Sequence, residues 1–215
     1  MLIEFLGNHV WAGIALWVFL YIGDYALTII GAKQYQAGAK EYFHFERGYE
    51  LNPLFQKDVA MFRYFSPRFA LFLITTCILI LVIWFLSRPY PPLFTFLMGA
   101  LVLLQVSVHL RHLRNIFLFR LVVQRGGVQG RISYAAWFSY KVSSLELFSF
   151  AGFYVLIFLL TGSVFFLGGA VTCLFAGVKH LVFSRKILPQ HPVAGQNELK
   201  DTEKSDPEIV GMRED

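Results

Sequence analysis

Apolar residues run along this chain in long stretches that end at basic clusters or at Gly/Pro signals. About 20 such residues in a helix rising about 1.5 Å each cross the hydrocarbon core of a bilayer. The first stretch is 11–31, interrupted by Asp24, and the second is 69–87, free of charge. The third, 89–108, opens on Pro91 and Pro92. The last, 147–178, is charge-free, too long for one span and short for two. Extended back to Val142 and on to Leu181, it divides at Thr161-Gly162-Ser163 into two helices joined by a tight turn. The pattern therefore predicts an all-α polytopic transmembrane bundle of five spans over residues 1–186, followed by a tail, 187–215, too polar to bury a core and expected to be disordered.

Composition and charge sharpen this picture. The chain is 56% hydrophobic and only 15% charged, against about 25% charged in soluble domains, which rules against a water-soluble globule. Lys33, Lys40, Arg47, Lys57, Arg63 and Arg68 lie between the first two spans, and Arg111, Arg114, Arg120, Arg125, Arg131 and Lys141 between the third and fourth. The intervening connections hold Arg88 alone or no basic residue, while Lys179, Arg185 and Lys186 follow the fifth span. This alternation places the N-terminus outside and the C-terminus in the cytoplasm. It also accounts for the net charge of +5 by orientation, with no need of nucleic acid as a partner. The start, MLIEFLGNHVW, has no basic segment and carries Glu4, so the first span is expected to stay as an anchor. Cys77 and Cys173, both in apolar runs, exclude a disulfide framework and a Cys-based zinc site.

Several connections carry their own signals. The loop 34–64 is aromatic, and Asn52-Pro53 and Ser66-Pro67 both read as helix N-cap followed by N1. A short surface helix over 53–64 and a kink into the second span are expected. The third helix meets no stop before Gly126-Gly127, so it should extend over 93–124 and protrude from the lipid, with Ser133 capping the return helix. The glycines of 126–130 fit no nucleotide-binding spacing and read as a hairpin turn. Gly168, Thr172 and Ala176 form a small-residue face suited to close packing, either within the chain or in a homo-oligomer.

Polar residues inside spans are costly and usually face the bundle interior. Trp17, Tyr21, Asp24, Thr28 and Gly31 share one helix face, as do Gln105, His109, His112 and Asn115, and Ser139, Ser143, Glu146 and Ser149. Topology puts Asp24, His109, His112 and Glu146 at similar depths near the cytoplasmic side, with Glu50 in the loop on that side. A pocket open to the cytoplasm is expected, lined by these five and flanked by Thr28, Asn52, Gln105 and Asn115. Each member also has a plainer role, as hydrogen-bonding partner, headgroup contact or structural ion pair. Convergence in both phase and depth favours the pocket.

Three classes of function fit. The pocket could bind a cation, lipid headgroup or small solute in transport or assembly. A His-x-x-His pair with Asp24 and Glu146 suits a divalent metal such as Zn²⁺ or Fe²⁺, which would make an intramembrane metal-dependent hydrolase or lipid-modifying enzyme. HEXXH and GxSxG are both absent, so no catalytic residue is assigned. A non-catalytic scaffold is the third class. For a carrier, five spans without an inverted repeat is a small, asymmetric frame.

Asp24-x-x-x-Thr28, followed by Glu50-Leu51-Asn52-Pro53, resembles a family of small polytopic prokaryotic membrane proteins in which an Asp–Thr span precedes a Glu-x-Asn-Pro motif. The match covers about the first 60 residues, and the loop between the motifs is longer and more aromatic here. The resemblance implies a bacterial or archaeal plasma membrane and groups Asp24, Glu50 and Asn52. It implies no particular activity.

Overall fold

A computed structural model describes residues 2–52 and 54–187. Helix α1 (Leu2–Asn8) is separated by a break at His9 from α2 (Val10–Ala37). The remaining elements are strand β1 (Phe43–Phe45), the one-turn helix α3 (Gln56–Ala60), α4 (Pro67–Leu86), α5 (Pro91–Arg125), strand β2 (Ile132–Tyr134), α6 (Ala136–Thr161) and α7 (Val164–Lys186). α2, α4, α5, α6 and α7 are the five helices long and apolar enough to cross a membrane. The chain is a membrane-spanning helix bundle, as its apolar runs require. The break that sets α1 apart had no sequence signal.

Packing follows the order α4–α2–α5–α7–α6. α6 and α7 form a tight hairpin closed by Gly162, which takes the left-handed conformation (φ 66°) that favours glycine. α7 then lies directly on α5. A methyl group on Gly99 would land on the Phe165 carbonyl, and one on Gly168 on the Phe96 carbonyl. Among the three small residues of span five, Gly168 is thus used within the chain. Phe94, Met98, Leu147 and Cys173 fill the core beside this crossing. Polar groups there are satisfied: Tyr154 Oη donates to the Leu103 carbonyl (3.1 Å) and lies 3.0 Å from Ser107 Oγ. α5 and α6 both rest on α7 without packing closely on each other, which leaves a cleft between them.

Helix starts follow the Pro signals. Ser66 accepts a hydrogen bond from Phe69 N (3.4 Å) with Pro67 at N1, and Ser66 Oγ donates to buried Asp58 (2.6 Å). Two expectations need correction. The surface helix expected over 53–64 is only Gln56–Ala60, because Tyr25 Oη holds the Arg63 carbonyl (2.7 Å) and the chain turns early, with Phe62 at φ 51°. Ser133 does not cap α6. It lies in β2, paired in parallel with β1 in the register Phe43↔Ile132, His44↔Ser133, Phe45↔Tyr134. The cap comes from the first loop, where Glu46 Oε2 accepts from Ala136 N at 2.6 Å. The tail beyond Ile187 lies outside the described residues.

The strand pair ties the two basic loops together on one face, hereafter the loop face. Tyr35, Phe43, Phe45, Tyr49 and Phe119 pack beneath it. Tyr140 Oη on α6 donates to the Leu51 carbonyl (2.7 Å). The first loop is therefore folded down onto the bundle. Because a carboxylate at a helix N-terminus is worth about 1 kcal/mol, Glu46→Ala should lower the unfolding midpoint by roughly 2–4 °C and speed proteolysis between residues 46 and 52. Cleavage at the wild-type rate would show that the loop is held by other contacts.

Candidate functional site

The site forms where α2 and α5 lie side by side below the folded loop. Gly23 lets the His109 ring approach α2: a methyl on Gly23 would lie 2.9 Å from His109 Nε2. His109 Nδ1 lies 2.7 Å from its own Gln105 carbonyl. One turn on, His112 Nε2 is 3.2 Å from Asp24 Oδ1 and 3.2 Å from Thr28 Oγ1. Thr28 has a single hydroxyl proton, donated to the Asp24 carbonyl (2.9 Å). Its contact with His112 therefore needs a proton on Nε2, shared with Asp24 at ion-pair distance but not in good hydrogen-bond geometry. That leaves Nδ1 as the ring's free valence, and it is buried without a partner. An orphaned buried polar atom calls for a bound molecule or water.

The loop supplies the cluster's other side. Tyr49 lies over Gly31, where any side chain would collide with its hydroxyl. That hydroxyl sits near Asn115, is otherwise orphaned, and has its pKa pushed up to about 12, mainly by burial. Glu50 follows. Its carboxylate accepts from Asn52 N at 2.6 Å and sits within electrostatic range of His112, Asp24 and Arg111. Burial raises the Glu50 pKa, an effect partly offset by the Asn52 hydrogen bond. Glu50 nonetheless keeps partial solvent exposure.

On the neighbouring face of α5, Glu146 of α6 is held by two arginines. Arg111 Nε lies 3.0 Å from its Oε2, and Arg114 Nη1 pairs with its Oε1. Glu146 joins the cluster through Arg111 and does not face Asp24 directly.

Comparison with protein-family models, curated proteins and solved structures gave no match. Function must be read from the geometry.

Asp24, Thr28 and His112 lie in direct contact, Glu50 sits within electrostatic range of Asp24 and His112, Asn115 lies beside Tyr49, and His109 packs on Gly23. Asn52 is exposed and shapes the turn, accepting from Leu54 N at 3.2 Å. Gln105 is buried, its side-chain oxygen without a partner. The metal set His109, His112, Asp24 and Glu146 is corrected. Among the described residues no three His, Cys, Asp or Glu side chains converge to hold a metal ion, because the two arginines hold Glu146 on the neighbouring face of α5. The α6 stripe also divides: Ser139 and Ser149 bond carbonyls of their own helix, while Ser143 lies 2.7 Å from His180 Nδ1. This Ser–His pair is a poor catalytic dyad, since Ser143 is 2% exposed and the charged neighbours of His180 are the cations Arg111 and Lys179. Sequence reasoning missed Tyr49 and Arg111 as site members. Tyr49 was one aromatic among many in its loop, and Arg111 read only as a basic residue of the second loop and an ion-pair partner open to Glu146.

Proposed function

We infer that this integral membrane protein binds a small cation of the ammonium type in the loop-capped pocket between α2 and α5, in a transport or assembly role, with the loop face in the cytoplasm of a bacterial or archaeal cell. The orphaned, buried Asp24 Oδ1 and His112 Nδ1 carry this reading. With the proton on Nε2, both atoms are acceptors, and Glu50 adds a third. A donor-rich cation satisfies all three, and the surrounding oxygens of Thr28 and Tyr49 suit it. The basic residues gathered on the loop face support the cytoplasmic assignment.

Ammonium and methylammonium chlorides, compared with sodium chloride and with choline chloride, whose quaternary nitrogen has no N–H to donate, are the probes. At a hundredfold excess over Kd a bound ligand stabilises by about 2.7 kcal/mol. The unfolding midpoint of the wild type should therefore rise with ammonium or methylammonium and stay unchanged with choline. Asp24→Asn should fold with an unchanged helical content and lose that rise. The raised Glu50 pKa fixes the sign of the pH effect. Binding should strengthen as pH rises through that value, because ionised Glu50 adds negative charge, and Glu50→Gln should flatten the dependence. Equal responses of wild type and Asp24→Asn to every probe would overturn the reading.

A further inference from the structure

The cleft between α5 and α6 is a second site, on the face of α5 next to the one that carries His109 and His112. It encloses about 440 Å³. Leu110, Arg111 and Arg114 of α5 face Glu146, Phe150 and Phe153 of α6 across it. The charged groups gather at one end and the apolar groups continue away from it. Arg111 is 20 residues beyond Pro91, about 30 Å along the helix at 1.5 Å per residue, which is the thickness of the hydrocarbon core. The charged end therefore sits at the bilayer boundary. From Glu146 to Phe153 the cleft runs about 10 Å toward the bilayer interior. Leu110 and Phe153 are half exposed along it, so its apolar part faces lipid.

Charge is unbalanced at the polar end. Two guanidiniums contact the single carboxylate of Glu146, and Glu50 acts on Arg111 only through longer-range attraction. Arg114 spends its other nitrogens on Asn115. Arg111 Nε is held to Glu146 by charge, 3.0 Å from Oε2 but outside good hydrogen-bond geometry. Two guanidiniums that share one contacting carboxylate at the head of an apolar cleft are complementary to a phosphodiester attached to an acyl chain.

We propose that the α5–α6 cleft binds one phospholipid with a net negative headgroup, its phosphate on Arg111 and Arg114 and an acyl chain along Phe150 and Phe153. Asp24, Thr28 and His112 supply none of the cleft's lining, so the lipid site stands whether or not the pocket between α2 and α5 binds a cation.

Native mass spectrometry of the full chain in uncharged detergent, with phosphatidylglycerol or phosphatidylcholine added, tests this. The wild type should retain one phosphatidylglycerol with an apparent affinity about tenfold above that for phosphatidylcholine. Arg111→Gln with Arg114→Gln should erase the preference, while Arg125→Gln, on an exposed residue at the end of α5, should keep it. If the glutamine pair fails to fold, Arg111→Lys with Arg114→Lys gives the second reading, since charge is kept but the paired donors are lost; the preference should fall severalfold. Inorganic phosphate should not displace the lipid. Equal retention of both lipids by the wild type, an unchanged preference in the Arg111/Arg114 variants, or displacement by inorganic phosphate would overturn the proposal. Asp24→Asn should leave lipid retention unchanged, so failure here and failure of the cation reading are told apart.

Discussion

Gly168→Ala stops α7 from seating on α5, and the folded protein is lost or severely destabilised. The added methyl would meet the Phe96 carbonyl and lie 2.8 Å from Ala100 N, both of them backbone. Neither can swing away as a side chain would, so the helices must separate along their whole crossing. Overpacking of this kind costs about 3 kcal/mol or more, and the lost contact between backbones is the main source of helix association in lipid. Gly99→Ala meets the Phe165 backbone from the other side and should behave alike. Gly152→Ala is the matched control: a methyl there meets nothing within 4 Å, so its effect should stay within about 0.5 kcal/mol. Thermal unfolding in detergent reads all three. A Gly168→Ala protein that melts with the wild type would mean that the helices are farther apart than described.

Removing the carboxylate of Glu146 has the next largest effect. The Arg111 and Glu146 side chains are about 20% and 19% exposed, so the pair is largely withdrawn from water. Breaking such a pair from one side costs about 3–5 kcal/mol, because a buried charge is left alone. The open cleft and the half-exposed Arg114 place Glu146→Ala at the lower end, about 3 kcal/mol. In uncharged detergent the single variant should melt far below the wild type. Glu146→Leu combined with Arg111→Met should recover most of the loss, since apolar groups of similar volume replace both charges. A double variant as unstable as the single one would show that the carboxylate serves something other than these arginines.

The spans were legible because a bilayer demands length and apolarity, and both are local properties of the chain. The Asp24–His112 meeting was legible for a related reason: a charge inside a span must find a partner, and helical phase says which way it looks. Pro67, Pro91 and Gly162 also acted where their backbone preferences placed them. What could not be read were contacts between segments distant in sequence and short in length. β1 and β2 are three residues each, below any periodicity. Glu46 looked like one more loop charge, and Ser133 looked like the better cap. Glu146 was grouped with Asp24 and the histidines, and it is the plainer reading, an ion pair with the arginines, that the geometry shows, because Arg111 and Arg114 reach it from the adjacent face of the same helix that carries His112. Phase separates faces of a helix. It does not say which of two neighbouring faces meets which helix.

The pairing of β1 with β2 also sets an order of events during synthesis. Glu46 and Ala136 are 90 residues apart. At roughly 5–20 residues per second a ribosome needs roughly 5–20 s to make the intervening chain. For that interval the first loop has neither its strand partner nor the helix end it caps, and through about its first two-thirds His109 and His112 have not yet been made. Asp24 enters the membrane alone, with an open strand edge below it. The nascent chain thus passes through a stage in which an unpaired carboxylate and an exposed edge coexist, the stage at which an insertase or chaperone would have most to hold.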